Sequence, residues 1–249
     1  MKNLILILIL VGSLSFSCRK KEKEATPTTP AFVSDSPYTI STATVYSGIF
    51  TSSTNTTIIT PTSSVINNGS IAFFSNTVVP SMDWGSSVTV SNISSNNNVL
   101  NYDPVNYYYV NSALVNLNNE VWQVQGSNGI PSFKYTSDNN APDCTSFNSI
   151  PDSISLSAGF TININNVVNC LPGASDISVG CLSQFLINKP LNNGNNVITY
   201  TPAELSALTP DNTGVAIILL EERKVVNIYG KDFQFVRVNR LVKSIKVKP

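Results

Sequence analysis

There is no histidine in this chain of 249 residues. That removes Ser–His–Asp and Cys–His catalysis and most catalytic metal sites together, because each relies on imidazole as base or ligand. Charge is scarce too, with Asp, Glu, Lys and Arg making up 12% of the chain. Its carboxylates, Asp83, Asp103, Glu120 and Asp143 among them, show no spacing that selects a glycosidase-like pair. No glycine-rich phosphate loop, dinucleotide fingerprint or CxxC spacing occurs. The expectation is a non-enzyme with no cofactor and no bound metal.

The unbroken aliphatic run at residues 4–11 is too short to span a bilayer. It follows Met1-Lys2-Asn3 and leads through small residues to Ser15-Phe16-Ser17-Cys18, a secretory layout. A cysteine directly after the small residues makes it resemble a bacterial lipoprotein signal, although Ser15 stands where Leu or Val is usual. The resemblance implies cleavage before Cys18, lipid on that residue, and a partner in the membrane through several acyl chains. Arg19-Lys20-Lys21-Glu22-Lys23-Glu24 and Ala25-Thr26-Pro27-Thr28-Thr29-Pro30 then bury nothing and read as an extended tether. The expected organisation is a signal peptide at 1–17, a lipidated tether at 18–37, and a folded body beyond.

Formal net charge is zero, yet the charges are unevenly placed. From residue 25 to 222 the only basic side chains are Lys134 and Lys189, while Arg223 onward is basic with Asp232 alone opposing. Ser244-Ile245-Lys246-Val247-Lys248 alternates, so the lysines should face water from a strand and discourage edge pairing. An anion-binding face is the sharper alternative. Nucleic acid is not expected as a partner, given export.

Cys144, Cys170 and Cys181 remain once Cys18 is set aside. In an oxidising compartment Cys170 with Cys181 closes the shortest loop and is favoured; Cys144 with Cys170, or no disulfide, stays open.

Strand signals recur between Asn- and Gly-rich turns, and helical periodicity is nearly absent. Expected strands include 70–74, 87–90, 107–110, 113–117, 120–125, 160–164, 197–200, 214–221, 225–229, 233–238 and 243–247. One helical turn is expected at Thr201-Pro202-Ala203-Glu204, where Thr, Pro and Glu make a capping box. The fold class is all-β, with two β-sandwich domains at 38–147 and 148–249.

Several segments are similar to uncharacterised lipoproteins of Bacteroidota. They are Val121-Trp122-Gln123-Val124-Gln125-Gly126, Gly129-Ile130-Pro131-Ser132-Phe133, Pro151-Asp152-Ser153-Ile154-Ser155, Gly159-Phe160-Thr161-Ile162, Tyr200-Thr201-Pro202-Ala203-Glu204-Leu205 and Tyr229-Gly230-Lys231-Asp232-Phe233-Gln234-Phe235-Val236. The resemblance covers about residues 120–249 and implies an Ig-like sandwich at 148–249, with no established activity. In that phylum acidic residues after the lipidated cysteine resemble a surface-export signal. The basic start here favours the periplasmic face of the outer membrane, with the cell surface still open. Asp152-Ser153-Ile154 also looks like the O-glycosylation site of these bacteria, with Ser153 as acceptor.

The binding lead is aromatic. Alternation in Tyr107-Tyr108-Tyr109 puts Tyr107 and Tyr109 on one face of a strand, and Asp83-Trp84-Gly85 adds Trp84 on a loop. Exposed rings there would stack on sugars or anchor a protein; buried rings would simply be core. Two functions follow: a structural or protein-interaction lipoprotein of the envelope, or a tethered glycan-binding module.

Overall fold

Period-two alternation of apolar residues fills nearly the whole structure with strand. The computed structural model describes residues 38–43, 46–60, 63–79, 87–113, 115–145, 149–181 and 185–249. The first half supplies β1 (Thr39–Ile40), β2 (Tyr46–Thr60), β3 (Ser63–Val79), β4 (Asn92–Ser95) and β5 (Asn98–Val99). It continues with β6 (Asn101–Asp103), β7 (Tyr108–Asn111), β8 (Val121–Gln125) and β9 (Phe133–Thr136). The second half supplies β10 (Ser153–Ser155), β11 (Phe160–Val167), β12 (Asp176–Cys181), β13 (Phe185–Pro190) and β14 (Gly194–Tyr200). A helical turn α1 (Pro202–Leu205) precedes β15 (Asp211–Ile228) and β16 (Lys231–Lys248).

The architecture is an all-β sandwich built on one ten-stranded sheet, ordered β13-β12-β15-β16-β2-β3-β7-β6, with β1 on β15 and β10 on β16. A pair, β11-β14, covers one end of this sheet, and a four-stranded sheet, β5-β4-β8-β9, covers the other. The long hairpin β15-β16 serves both ends. Ala216, Ile218 and Leu220 enter one core while Val226 and Ile228, at the same parity on the same strand, enter the other. On β16, Ile245 and Val247 do the same for the first core, and Phe233 and Phe235 for the second.

The expected boundary between residues 147 and 148 lies outside the described residues, and the hydrogen bonding of the described strands runs across it. Strands from both sides pair in one sheet, β16 with β2 in parallel, and the described residues cluster as one compact unit. The expected separate strands at 214–221 and 225–229 are one strand, as are 233–238 and 243–247. The hairpin turns at Tyr229 and Gly230, whose φ values of 52° and 80° make the left-handed pair that suits a two-residue connection. The expected strands at 87–90 and 113–117 are instead mostly irregular, and β4, β9 and β12 form where none was expected.

The capping box is present. Thr201 N donates to Glu204 Oε2 at 2.8 Å, and Glu204 N donates to Thr201 Oγ1 at 3.3 Å. Lys189 bonds the same carboxylate, and this bond, with those from Thr201, holds Glu204 down to about 2.

Candidate functional site

The fold separates the two tyrosines of the aromatic lead. Tyr107 sits in the turn before β7 with φ of 59° and is 47% exposed, whereas Tyr109 is 5% exposed. The alternation starts one residue late, at Tyr108, so Tyr107 and Tyr109 share no strand face. The turn is set by Asp103, whose carboxylate accepts from Val105 N, Asn106 N and Asn106 Nδ2. These bonds hold its carboxyl below the usual range. The Tyr109 hydroxyl accepts from Val90 N at 2.8 Å and donates to Val90 O at 2.9 Å, standing in for a missing strand partner. Burial pushes this phenol up. Cys18 and Trp84 lie outside the described residues.

The expected Cys170–Cys181 bridge is not formed, and Cys170 keeps its thiol. Cys170 is tied to the start of β12 through its neighbours. Its N–H donates to Asn193 Oδ1 at 2.9 Å, and Leu191 beside it donates to Ser175 O. Cys181 closes the far end of the six-residue β12, about 16 Å of extended chain away and beyond disulfide reach. Burial pushes the Cys170 thiol up. Ser153 lies half-buried in β10, opposite Lys246, while Asp152 before it pairs with Lys243 at 2.8 Å.

Between the two cores the inner face of the large sheet turns polar. Glu222 and Lys224 share parity with Leu220 and Val226, and Arg237 and Asn239 share parity with Phe233 and Phe235. Glu222 and Arg237 are directly opposed in the ladder, and the carboxylate accepts from Nε and Nη2 of the arginine. Arg237 is only 4% exposed. Its Nη1 donates to Leu117 O and Asp138 O, both at 2.8 Å, and Nη2 to Asn140 O at 2.9 Å. One guanidinium thus fastens two irregular segments that no strand ladder could satisfy. Lys224 reaches Asp138 at 2.7 Å, and Lys243 bonds Ile150 O. Part of the C-terminal basic run therefore clamps the crossing segment, while Ser244, Lys246 and Lys248 face water around buried Ile245 and Val247.

Glu120 lies beside this clamp at 1% exposure, accepting from the hydroxyls of Ser52 and Ser95. Burial pushes its carboxyl up, against the pull of those bonds, Trp122 and the Arg237 charge. A raised folded pKa means stability that is full below the unfolded value and lost as pH rises through the folded one. Urea midpoints should therefore fall as pH climbs from about 4.5, the ordinary glutamate value. Glu204, Asp103 and Asp152 are shifted the other way, so their losses come only at lower pH. Glu120→Gln should flatten the decline above that value; an equally steep decline in the variant would assign it to other groups.

Beside the clamp a cleft of about 650 Å³ opens between the sheet and the crossing segments. Thr54 and Asn239 come from β2 and β16, Asn116 and Asn118 from the loop before β8, and Asn139 and Asp143 from the segment after β9. Asn239 links floor to wall: its Oδ1 accepts from Thr54 Oγ1 at 3.2 Å, and its Nδ2 donates to Pro142 O at 3.2 Å. Val168 and Asn169 complete the rim, where Val168 and Asp143 exchange backbone bonds. Sequence reasoning named Asp143 only as an unpaired acid and missed the asparagines. The one readable signal was Arg237 at inward parity in a basic run. Among the described residues no cluster of three or more Cys, Asp or Glu is assembled that could hold a metal ion.

No protein-family model matches the chain, and no curated protein is significantly similar to it in sequence.

Proposed function

We propose that this protein is a lipid-anchored lipoprotein of the bacterial envelope whose β body has a non-catalytic, structural or protein-interaction role. The carrying observation is the aliphatic run at 4–11 that closes on Ser17-Cys18 and is followed by a charged, then Pro/Thr-rich tether. Support also comes from the use made of the ionisable groups at the seam. Arg237, Glu222, Lys224 and Lys243 are bonded into the fold, and Glu120 is held by hydroxyls away from solvent. No helix among the described residues is long and apolar enough to cross a membrane.

The basic residues after Cys18 favour the periplasmic face of the outer membrane. The alternative, a tethered glycan-binding module, loses the Tyr107–Tyr109 pair with the burial of Tyr109 but gains the polar cleft. In support of an Ig-like C-terminal half, β11-β14 face β12, β15 and β16 across one core.

Feeding cells an alkyne-bearing palmitate should label the full-length protein, and Cys18→Ala should abolish the label. Label retained on the variant would sink the anchor assignment. Protease shaving of intact cells should leave the protein whole if it faces the periplasm.

A further inference from the structure

We infer that the cleft beside Arg237 is a binding site for a short neutral oligosaccharide. Its volume of about 650 Å³ lies within the usual range for small-ligand sites. Its lining carries no lysine or arginine, and its one ionisable group is the Asp143 carboxylate. The nearby Arg237 offers nothing to an anion, since its donors are taken by Leu117, Asp138, Asn140 and Glu222.

What the lining does offer is a set of amides already turned. Oδ1 of Asn116 accepts from Asn118 N at 3.0 Å, and Oδ1 of Asn118 accepts from Ala141 N at 2.7 Å. Oδ1 of Asn139 accepts from Asn119 Nδ2 at 2.8 Å. Each of these three side chains thereby keeps an NH₂ that has no partner among the described residues. Asn169 is turned the other way: its Nδ2 donates to Asn140 O at 3.3 Å and leaves the carbonyl oxygen over. Asp143 accepts from Cys144 N and Asn239 Nδ2 through Oδ1, which leaves Oδ2.

The site therefore presents fixed donors and fixed acceptors with little net charge. A hydroxyl both donates and accepts, so a chain of vicinal diols satisfies such a set where an anion or a cation satisfies half of it. Val168, exposed on the rim, adds aliphatic surface against which the C–H face of a sugar ring can lie, with buried Val115 and Leu117 behind the wall. Because the walls are clamped through Arg237, little ordering remains to be done on binding. The inference concerns the body alone, and stands whether or not Cys18 carries lipid.

The test uses the full-length protein in a detergent without a sugar headgroup, titrated calorimetrically with five neutral trisaccharides. These are the linear trimers of α-glucose, β-glucose, β-mannose, β-xylose and N-acetylglucosamine; trigalacturonate is the charged comparison. At least one neutral trimer should bind with Kd of about 1 mM or tighter, and trigalacturonate about tenfold more weakly. Asn116→Ala with Asn139→Ala should weaken binding about tenfold or more by removing two donors. Val168→Trp, at a side chain 43% exposed on the rim, should block the cleft while leaving every hydrogen bond and the urea midpoint in place. Absence of binding by all five neutral trimers overturns the proposal, as does preference for trigalacturonate. So does full affinity in Val168→Trp. None of these outcomes bears on palmitate labelling, so anchor and cleft stand or fall separately.

Discussion

Arg237→Ala is expected to lower the unfolding free energy by about 3–5 kcal/mol, the range for removing one partner of a buried ion pair. The loss has two sources. The carboxylate of Glu222 is left without its guanidinium, and the carbonyls of Leu117, Asp138 and Asn140 lose the donors that satisfy them. For a body of this size that corresponds to a fall in melting temperature of roughly 6–20 °C. Arg237→Lys should lie between, since one ammonium keeps the charge beside Glu222 but cannot serve carbonyls on separate segments with a planar fork. Urea unfolding followed by far-UV circular dichroism measures both. A loss under about 1 kcal/mol for the alanine variant would mean that water replaces the guanidinium at little cost. The clamp would then not be what sets the cleft walls.

The same clamp explains why part of the fold could not be read along the chain. Residues 214–221 and 225–229 look like separate strands because Glu221-Glu222-Arg223-Lys224 interrupts the apolar pattern. In space the pattern is not interrupted: Glu222 faces Arg237 across the ladder, and Arg223 bonds Glu221 on the opposite face. Charge in a strand centre reads as a turn unless its cross-strand partner is known, and that partner lies in another strand. Local signals fared better. The capping box at Thr201 and the alternation around Ile245 and Val247 depend on neighbours a few residues away, and both formed as expected.

The shared face expected for Tyr107 and Tyr109 was lost to a single-residue offset. Asp103 winds a turn that takes in Tyr107, so the strand begins at Tyr108 and Tyr109 turns inward. The hydrogen bonds of Asp103 and of the Tyr109 hydroxyl with Val90 hold this arrangement, and alternation carries no record of them. The cleft was harder still. Its lining comes from loops near residues 116, 141 and 168 and from strands at 54 and 239, which only the parallel pairing of β16 with β2 brings together. A chain rich in asparagine offers many such residues, most of them in turns, and nothing local marks the few that share a wall.

Phe50→Ala is expected to cost about 3–5 kcal/mol and to loosen both cores together. Phe50 is fully buried on β2 and directly opposes Phe235 in the parallel ladder, its ring stacked on that neighbour at 4.6 Å. Trp122, Phe74, Phe133 and Phe233 surround it edge-on at 5.0–6.1 Å between centroids. The alanine leaves a cavity that rings held by four other strands cannot easily close. The second readout is Cys170, buried in the other core, whose alkylation in urea can be followed by peptide mass. Because β15 and β16 carry both cores on one continuous face, opening one should expose the other, in a single cooperative transition. The urea midpoint for Cys170 labelling should therefore fall in step with that for circular dichroism. Were the halves on either side of residue 147 independent domains, Phe50→Ala would leave protection at Cys170 where it is in the unaltered protein.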